Sequence, residues 1–341
     1  MLKSDPPVTA VLRTSAPPDL AQIFEPIRND LEAVEAKFVQ HLESRVELIP
    51  EIGRYIQTSG GKRVRPALLL MCARLAGYSG DKATLYAAVV EFIHTATLLH
   101  DDVVDGSDLR RGKAAANIIF GNPATVLVGD FLFSRSFELM TEDGSLKVLK
   151  ILSGASAIIA EGEVDQLTAQ RKIDTSEERY LHIIRAKTAA LFAAASRIAA
   201  VVAECSEEEE QALDEYGRNL GVAFQLVDDA LDYDSNAAEM GKDRGDDFRE
   251  GKMTLPVILA YARGSVEERE FWKAAIAGFR TSDDDLDEAI RLIEKHNAVA
   301  DTKARARHFA QRAIDALSIF PDGKARQAMV QAALFSVSRG Y

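Results

Sequence analysis

The stretch EFIHTATLLHDDVVD, residues 91–105, decides the fold. It reads as an apolar helix that closes on carboxylates. Asp101 and Asp105 are four residues apart and so project from one face, a pair that can grip a hard cation. Helix-initial acids belong before an apolar run, whereas these stand at the end of one, so capping does not account for them.

A second stretch of the same kind, GVAFQLVDDALDYD, covers residues 221–234, with Gln225 one turn before Asp228 and Asp229 and with Asp232 one turn after them. Like charges at this spacing repel by a few tenths of a kcal/mol on a surface, ~0.2–0.5, and by more when buried, so something positive must offset them. A third match to the Asp-Asp-x-x-Asp pattern, Asp283, Asp284 and Asp287, follows Thr281 and Ser282 and opens a polar helix. N-capping explains it without metal. The first two clusters offer oxygen ligands only, with no cysteine or histidine pair beside them, which suits Mg2+ bridged to phosphate oxygens better than zinc. The ligand and glycine spacing of a calcium-binding EF-hand is absent.

Outward from these stretches the helical period has little competition. Six of the ten prolines fall at or before Pro50, alanine and leucine are abundant, and runs of alternating β-branched residues are missing. The chain therefore reads all-α, with helices expected near 23–45, 48–58, 65–77, 82–105, 114–140, 145–169, 176–204, 207–235, 254–263, 266–278, 283–296, 300–317 and 323–338. No repeat or composition shift divides residues 23–341, which read as one domain after a flexible, proline-rich arm at 1–22. Ser206 before four glutamates reads as a helix cap.

With 341 residues, 47% of them hydrophobic, the chain can bury a large core. Its net charge of −12 excludes a broad phosphate-neutralising face for nucleic acid, so any phosphate must be held locally. Cys72 and Cys205 sit in apolar surroundings and read as core thiols. No apolar run is long enough to span a membrane and no signal-peptide pattern opens the chain, so a cytoplasmic protein is expected.

Cationic groups are interspersed with the carboxylates. GGKRVRP, residues 60–66, sets three cations at a glycine turn entering a helix, and Arg110 and Arg111 follow the first cluster directly. Lys187 and Thr188 interrupt an alanine-rich helix, and GKDRGDDFREGK, residues 241–252, follows the second cluster. Each alone reads as a solvated patch. Together, two carboxylate clusters and several separate cations imply two diphosphates, one held through metal and one by arginine and lysine.

In this order GGKRVRP, HDDVVDGSDLRRG, AKT, FQLVDDALDY and GKDRGDDFREGK resemble the signature segments of the trans-type isoprenyl diphosphate synthases. The context FIHTATLLHDDVVD is similar to the long-chain octaprenyl, solanesyl and decaprenyl members, which supply quinone side chains. The resemblance implies one all-helical domain around a central cleft, a homodimer, and an isopentenyl diphosphate and an allylic diphosphate such as farnesyl diphosphate as substrates. It implies that Asp101, Asp102, Asp105, Asp228, Asp229 and Asp232 bind three Mg2+ ions on the allylic diphosphate. Arg110, Lys187, Lys242 and Lys252 would hold that diphosphate; Lys62, Arg65, His94 and Arg111 would hold the other; Thr188 and Gln225 would face the developing cation. Ala96 and Thr97, five and four residues before Asp101, are not aromatic, so no ring closes the tunnel there; the floor would lie lower, at Phe133, Phe137 or preferably Met140. Gly106 and Met253 stand where the family commonly has glutamate and proline. A long product would need a membrane to receive it, which implies transient peripheral contact. The competing readings are a short-chain synthase making farnesyl or geranylgeranyl diphosphate, a terpene cyclase, and a silent subunit of a heteromeric synthase.

Overall fold

The computed structural model describes residues 19–110, 112–234 and 245–338. Helices follow one another almost without interruption. α1 (Leu20–Phe24), α2 (Arg28–His41), α3 (Leu48–Thr58) and α4 (Val64–Leu75) precede the long α5 (Asp81–Val104), most of whose side chains are buried. A two-residue hairpin, β1 (Leu109–Arg110) with β2 (Lys113–Ala114), leads into α6 (Ala116–Phe120), α7 (Asn122–Asp143) and α8 (Leu146–Ala169). Then come α9 (Glu177–Ile184), a π-helical turn at Arg185–Ala189, α10 (Ala190–Val202) and α11 (Glu207–Leu231). The remainder is α12 (Asp246–Glu250), α13 (Leu255–Arg263), α14 (Val266–Trp272) with a second π turn at Lys273–Ala277, α15 (Asp283–Lys295), α16 (Ala298–Ala316) and α17 (Lys324–Ser338).

The all-α expectation holds, with local corrections. The helix expected over 114–140 is two helices after a hairpin, because Pro123 has no N–H for a continuing ladder and its ring opposes the preceding turn; it starts a new helix instead. α11 stops at Leu231, where Asp232 becomes the cap. The two predicted capping acids are present: Ser206 and Ser282 each accept from the backbone three residues on, and Glu209 and Asp285 reach back to them. Asp283 is almost fully exposed at a helix start, as the capping reading requires. Cys72 is a core thiol, whereas Cys205 is only half-buried, since it lies in the link after α10 where packing is one-sided.

Two buried clusters make the interior. One gathers α2, α4, α5, α7, α8 and α10 around Phe38, Tyr86 and Phe92, with the Phe38 and Phe92 rings stacked 4.3 Å apart. The other gathers the end of α11 with α13 to α16 around Trp272 and Phe248. The alanine-rich α10 lies close on α11, and a Cβ on Gly221 would fall 2.6 Å from Ala189 Cα, so only glycine permits this approach. The C-terminal end of α5 carries the first carboxylate cluster, and the C-terminal end of α11 carries the second.

Candidate active site

The site grows from three helix segments. α5 delivers Asp101, Asp102 and Asp105, α11 delivers Gln225, Asp228, Asp229 and Asp232, and the π turn between α9 and α10 delivers Lys187 and Thr188. A π turn adds a residue to the helical circuit and is a recurrent way of turning side chains into a site. Gly162 on α8 makes the turn fit, because a Cβ there would meet Ala186 Cβ at 2.7 Å and Lys187 N at 2.9 Å.

Lysines answer the carboxylates directly. Lys187 Nζ donates to Glu163 Oε2 at 2.7 Å and lies 3.6 Å from Asp101 Oδ2. Lys252, from the link after α12, donates to Asp105 Oδ2 at 3.1 Å and also pairs with Glu250. That single contact spans 147 residues of sequence and ties the first cluster to the segment that follows the second. Burial opposes the Lys252 charge, but Asp247, Glu250 and Asp105 outweigh it and raise its pKa.

The second cluster is buried and crowded. Asp229 Oδ1 accepts from Gln225 Nε2 at 2.7 Å and Oδ2 accepts from the buried Tyr180 hydroxyl, while Thr188 Oγ1 donates to Gln225 Oε1 at 2.8 Å. Burial, with the charge of Asp247 next, pushes the Asp229 carboxyl up to about 8. Asp232 accepts the backbone N–H groups of Asp246 and Asp247, both at 3.2 Å, and so caps α12; burial and then Asp247 push it up to about 8 as well. Burial also raises Asp101 and Glu163 above the usual carboxylate range, against the opposing charge of Lys187. Burial is the first cause in each case, and it disfavours the ionised carboxylate.

Asp102 differs from its neighbours. It is fully buried, Arg110 Nε donates to its Oδ1 at 2.7 Å with the Nη2 of the same guanidinium beside it, and its Oδ2 is buried with no hydrogen-bond partner. Among the described residues no three His, Cys, Asp or Glu side chains already form a metal-binding group. The donors nevertheless fit a hard divalent cation: they are all carboxylate oxygens, one of them is a buried acceptor with nothing to accept, and Asp229 and Asp232 are raised in pKa by burial and then by the charge of Asp247.

A cavity of about 750 Å³ adjoins these groups. Its wall includes Lys62, Arg65 and His94 together with Asp101, Asp228 and Lys187. Arg65 Nη1 and His94 Nε2 are 3.0 Å apart, and the Arg65 guanidinium lies 4.8 Å from the centre of the Phe192 ring. A smaller cavity of about 110 Å³ behind it shares Lys187, Thr188 and Gln225 and is closed by Tyr180, Asp229 and Lys252. Thr97 lines the large cavity; Ala96 and Met140 are buried in the core beside it, and Phe137 packs partly exposed against that core, its ring 5.2 Å from Phe133. Lys242 and Arg111 lie outside the described residues.

Four participants escape sequence reasoning: Tyr180, Glu163, Asp247 and Glu250. Asp247 and Glu250 lie within GKDRGDDFREGK, of which the sequence reading assigns only the lysines; Tyr180 and Glu163 belong to no recognisable pattern, and the one signal for them is that Tyr180 precedes Lys187 by seven residues, two helical turns.

Residues 46–293 match the polyprenyl synthetase family. The chain is 45% identical over 321 residues to the octaprenyl diphosphate synthase of Escherichia coli, a match covering 94% of this chain and 99% of that one. It superposes on a crystal structure of a decaprenyl diphosphate synthase from Rhodobacter capsulatus with a TM-score of 0.91 at 46% identity, covering 95% of this chain and 100% of the other. A polyprenyl synthase from Caulobacter crescentus, crystallised with calcium and isoprenyl diphosphate, gives a TM-score of 0.92 at 47% identity, covering 96% and 100%.

Proposed function

The chain belongs to the polyprenyl synthetase family, and we propose that it lengthens an allylic diphosphate with isopentenyl diphosphate units to a long all-trans polyprenyl diphosphate, octaprenyl to decaprenyl, for a quinone side chain. The observation that carries the reading is the cavity itself: its wall combines Lys62, Arg65 and His94 with Asp228 and the lysine-bridged carboxylate Asp101. That arrangement suits two diphosphates held by different chemistry.

Asp101, Asp102, Asp105, Asp228, Asp229 and Asp232 would hold divalent metal, with three Mg2+ ions as the complement for a bound diphosphate. When bound, the metal supplies positive charge to the departing diphosphate. Lys187, Lys252 and Arg110, with Lys242, orient that diphosphate and take up its charge as the allylic carbon–oxygen bond breaks and the bonding pair leaves on oxygen. Lys62, Arg65, His94 and Arg111 hold isopentenyl diphosphate so that its double bond faces the allylic carbon. Thr188 donates a hydrogen bond to the Gln225 amide oxygen, which leaves the lone pairs of the Thr188 hydroxyl and the second lone pair of that amide oxygen as dipoles for the cation. The double-bond electrons form the new carbon–carbon bond, and a proton then leaves to the released diphosphate, restoring a double bond. No side-chain base is needed.

Ala96, Thr97, Phe137 and Met140 would set product length, with Met140 as the floor. The exposed apolar side chains Leu127, Ile158, Val164 and Leu167 on α7 and α8 support a homodimer built on these two helices. Residues 23–341 would form the one catalytic domain after an arm at 1–22. No described helix is long and apolar enough to cross a membrane, so a long product would be released by transient peripheral contact from a cytoplasmic enzyme.

The test is incubation with Mg2+, isopentenyl diphosphate and farnesyl diphosphate, reading product mass, beside an Asp101→Ala, Asp228→Ala double variant. A ladder ending at a long polyprenyl diphosphate and lost in the variant is expected. A short product only would replace the chain-length reading with a short-chain synthase, and no product from any allylic primer would favour a cyclase or a silent subunit.

A further inference from the structure

Arg63 stands between Lys62 and the helix that carries Arg65, and its backbone is left-handed, with φ 48° and ψ 35°. A side chain with a Cβ is rarely found there unless its surroundings hold it. Here they do. The Arg63 guanidinium donates through Nε to Glu35 of α2, through Nη1 to Glu91 of α5 at 3.0 Å, and through Nη2 to the carbonyl oxygen of Gln57 at the end of α3 at 3.1 Å. Gln57 in turn donates to Glu35. Three elements thus converge on one side chain at the start of a fourth.

Two carboxylates surround this one cation, so its charge is already answered within the protein. Glu91 is also one turn before His94, which contacts Arg65. The clamp that fixes residue 63 therefore fixes the helix turn from which His94 and Arg65 meet. Lys62 and Arg65 flank residue 63 and both line the large cavity. With residue 63 in a right-handed or extended conformation, the chain would leave the turn in another direction, and the two cations would not reach one wall.

We propose that Arg63 is a positioning residue: its guanidinium, clamped between Glu35 and Glu91, holds the turn over residues 60–66 in the left-handed shape that presents Lys62 and Arg65 together to the diphosphate of isopentenyl diphosphate. The inference deepens the function proposed above and rests on it. Arg63→Lys keeps the charge but cannot span two carboxylates and a carbonyl, Arg63→Gly removes the side chain while allowing the backbone angle, and Glu35→Gln weakens the clamp while leaving the arginine in place.

The experiment measures KM for isopentenyl diphosphate and for the allylic diphosphate separately, kcat, thermal unfolding, and equilibrium binding of isopentenyl diphosphate by calorimetry. Arg63→Lys and Arg63→Gly are expected to raise KM and the dissociation constant for isopentenyl diphosphate about 10–100-fold, with the allylic KM within about twofold, as for loss of a positioning partner. Glu35→Gln is expected to raise them in the same direction. A direct phosphate-binding role predicts the opposite for Glu35→Gln, since a freed guanidinium would tighten binding, and that result would overturn the proposal. So would unchanged isopentenyl diphosphate affinity in Arg63→Gly with unfolding near wild type. A wild-type chain that neither binds nor elongates isopentenyl diphosphate would instead overturn the function on which the inference rests.

Discussion

Replacing Gly162 by alanine should damage the reaction more than the fold. The new Cβ would lie 2.7 Å from Ala186 Cβ and 2.9 Å from Lys187 N. Carbon–carbon contacts relax at about 3.5–4.0 Å, so α8 and the π turn must separate by on the order of 1 Å. Overpacking of this kind costs about 1–3 kcal/mol, while alanine in a helix interior recovers ~1 kcal/mol relative to glycine. The net loss of stability is therefore about 0–2 kcal/mol, a change in unfolding temperature of a few degrees at most. The reaction is less forgiving, because the displaced backbone carries Lys187 and Thr188, and a 1 Å misplacement of a catalytic group can cost about 100-fold. Steady-state kinetics with both substrates varied, run beside thermal unfolding, separates the two effects. We expect kcat to fall about 10–100-fold. A kcat within twofold of wild type would refute the reasoning, since it would mean that the turn shifts without moving the groups that act.

Tyr180→Phe removes one of two donors to Asp229, so the Mg2+ concentration for half-maximal activity should rise about 10–100-fold, and an unchanged titration would show that the hydroxyl only packs. Thr97→Phe places a ring in the wall of the large cavity and should shorten the product read by mass spectrometry, whereas the same product ladder as wild type would move the growing tail elsewhere. The pH dependence has a definite sign. Asp229 and Asp232 are pushed up to about 8, so below that pH they hold protons that a cation must displace. The Mg2+ concentration for half-maximal activity should accordingly fall as pH rises from about 7 to 9, and a flat dependence across that window would contradict the crowding of the second cluster.

Much of the fold, and the carboxylate clusters of the candidate site, can be read in the sequence for a physical reason. Carboxylates at the end of an apolar helix violate the ordinary logic of helix caps, so Asp101, Asp105, Asp228 and Asp229 stand out as candidates, and the same logic reads Asp283 and Asp284 as helix-initial acids, which is where α15 has them. Partners that meet only through tertiary packing declare nothing. Tyr180 reaches Asp229 across 49 residues and Lys252 reaches Asp105 across 147, with no periodicity to link them. The family resemblance gives the six aspartates one role, whereas their surroundings differ: Asp102 turns inward to Arg110, and Asp232 caps the helix that begins at Asp246. Arg63 reads as one more cation in a basic turn, and only its left-handed backbone and two carboxylate partners separate it from Lys62 and Arg65.

The π turn at Arg185–Ala189 has a consequence for how this chain tolerates change in length. A π turn holds one residue more per circuit than an α turn, so it takes up a surplus residue while α9 and α10 stay in phase. Deleting one residue within it would close an ordinary α turn and leave everything downstream facing as before. The side chains of α10 that lie against Gly217 and Gly221 of α11 would keep their places, whereas Lys187 and Thr188 would lose the bulge that carries them. The fold would absorb this loss of a residue; the site would not.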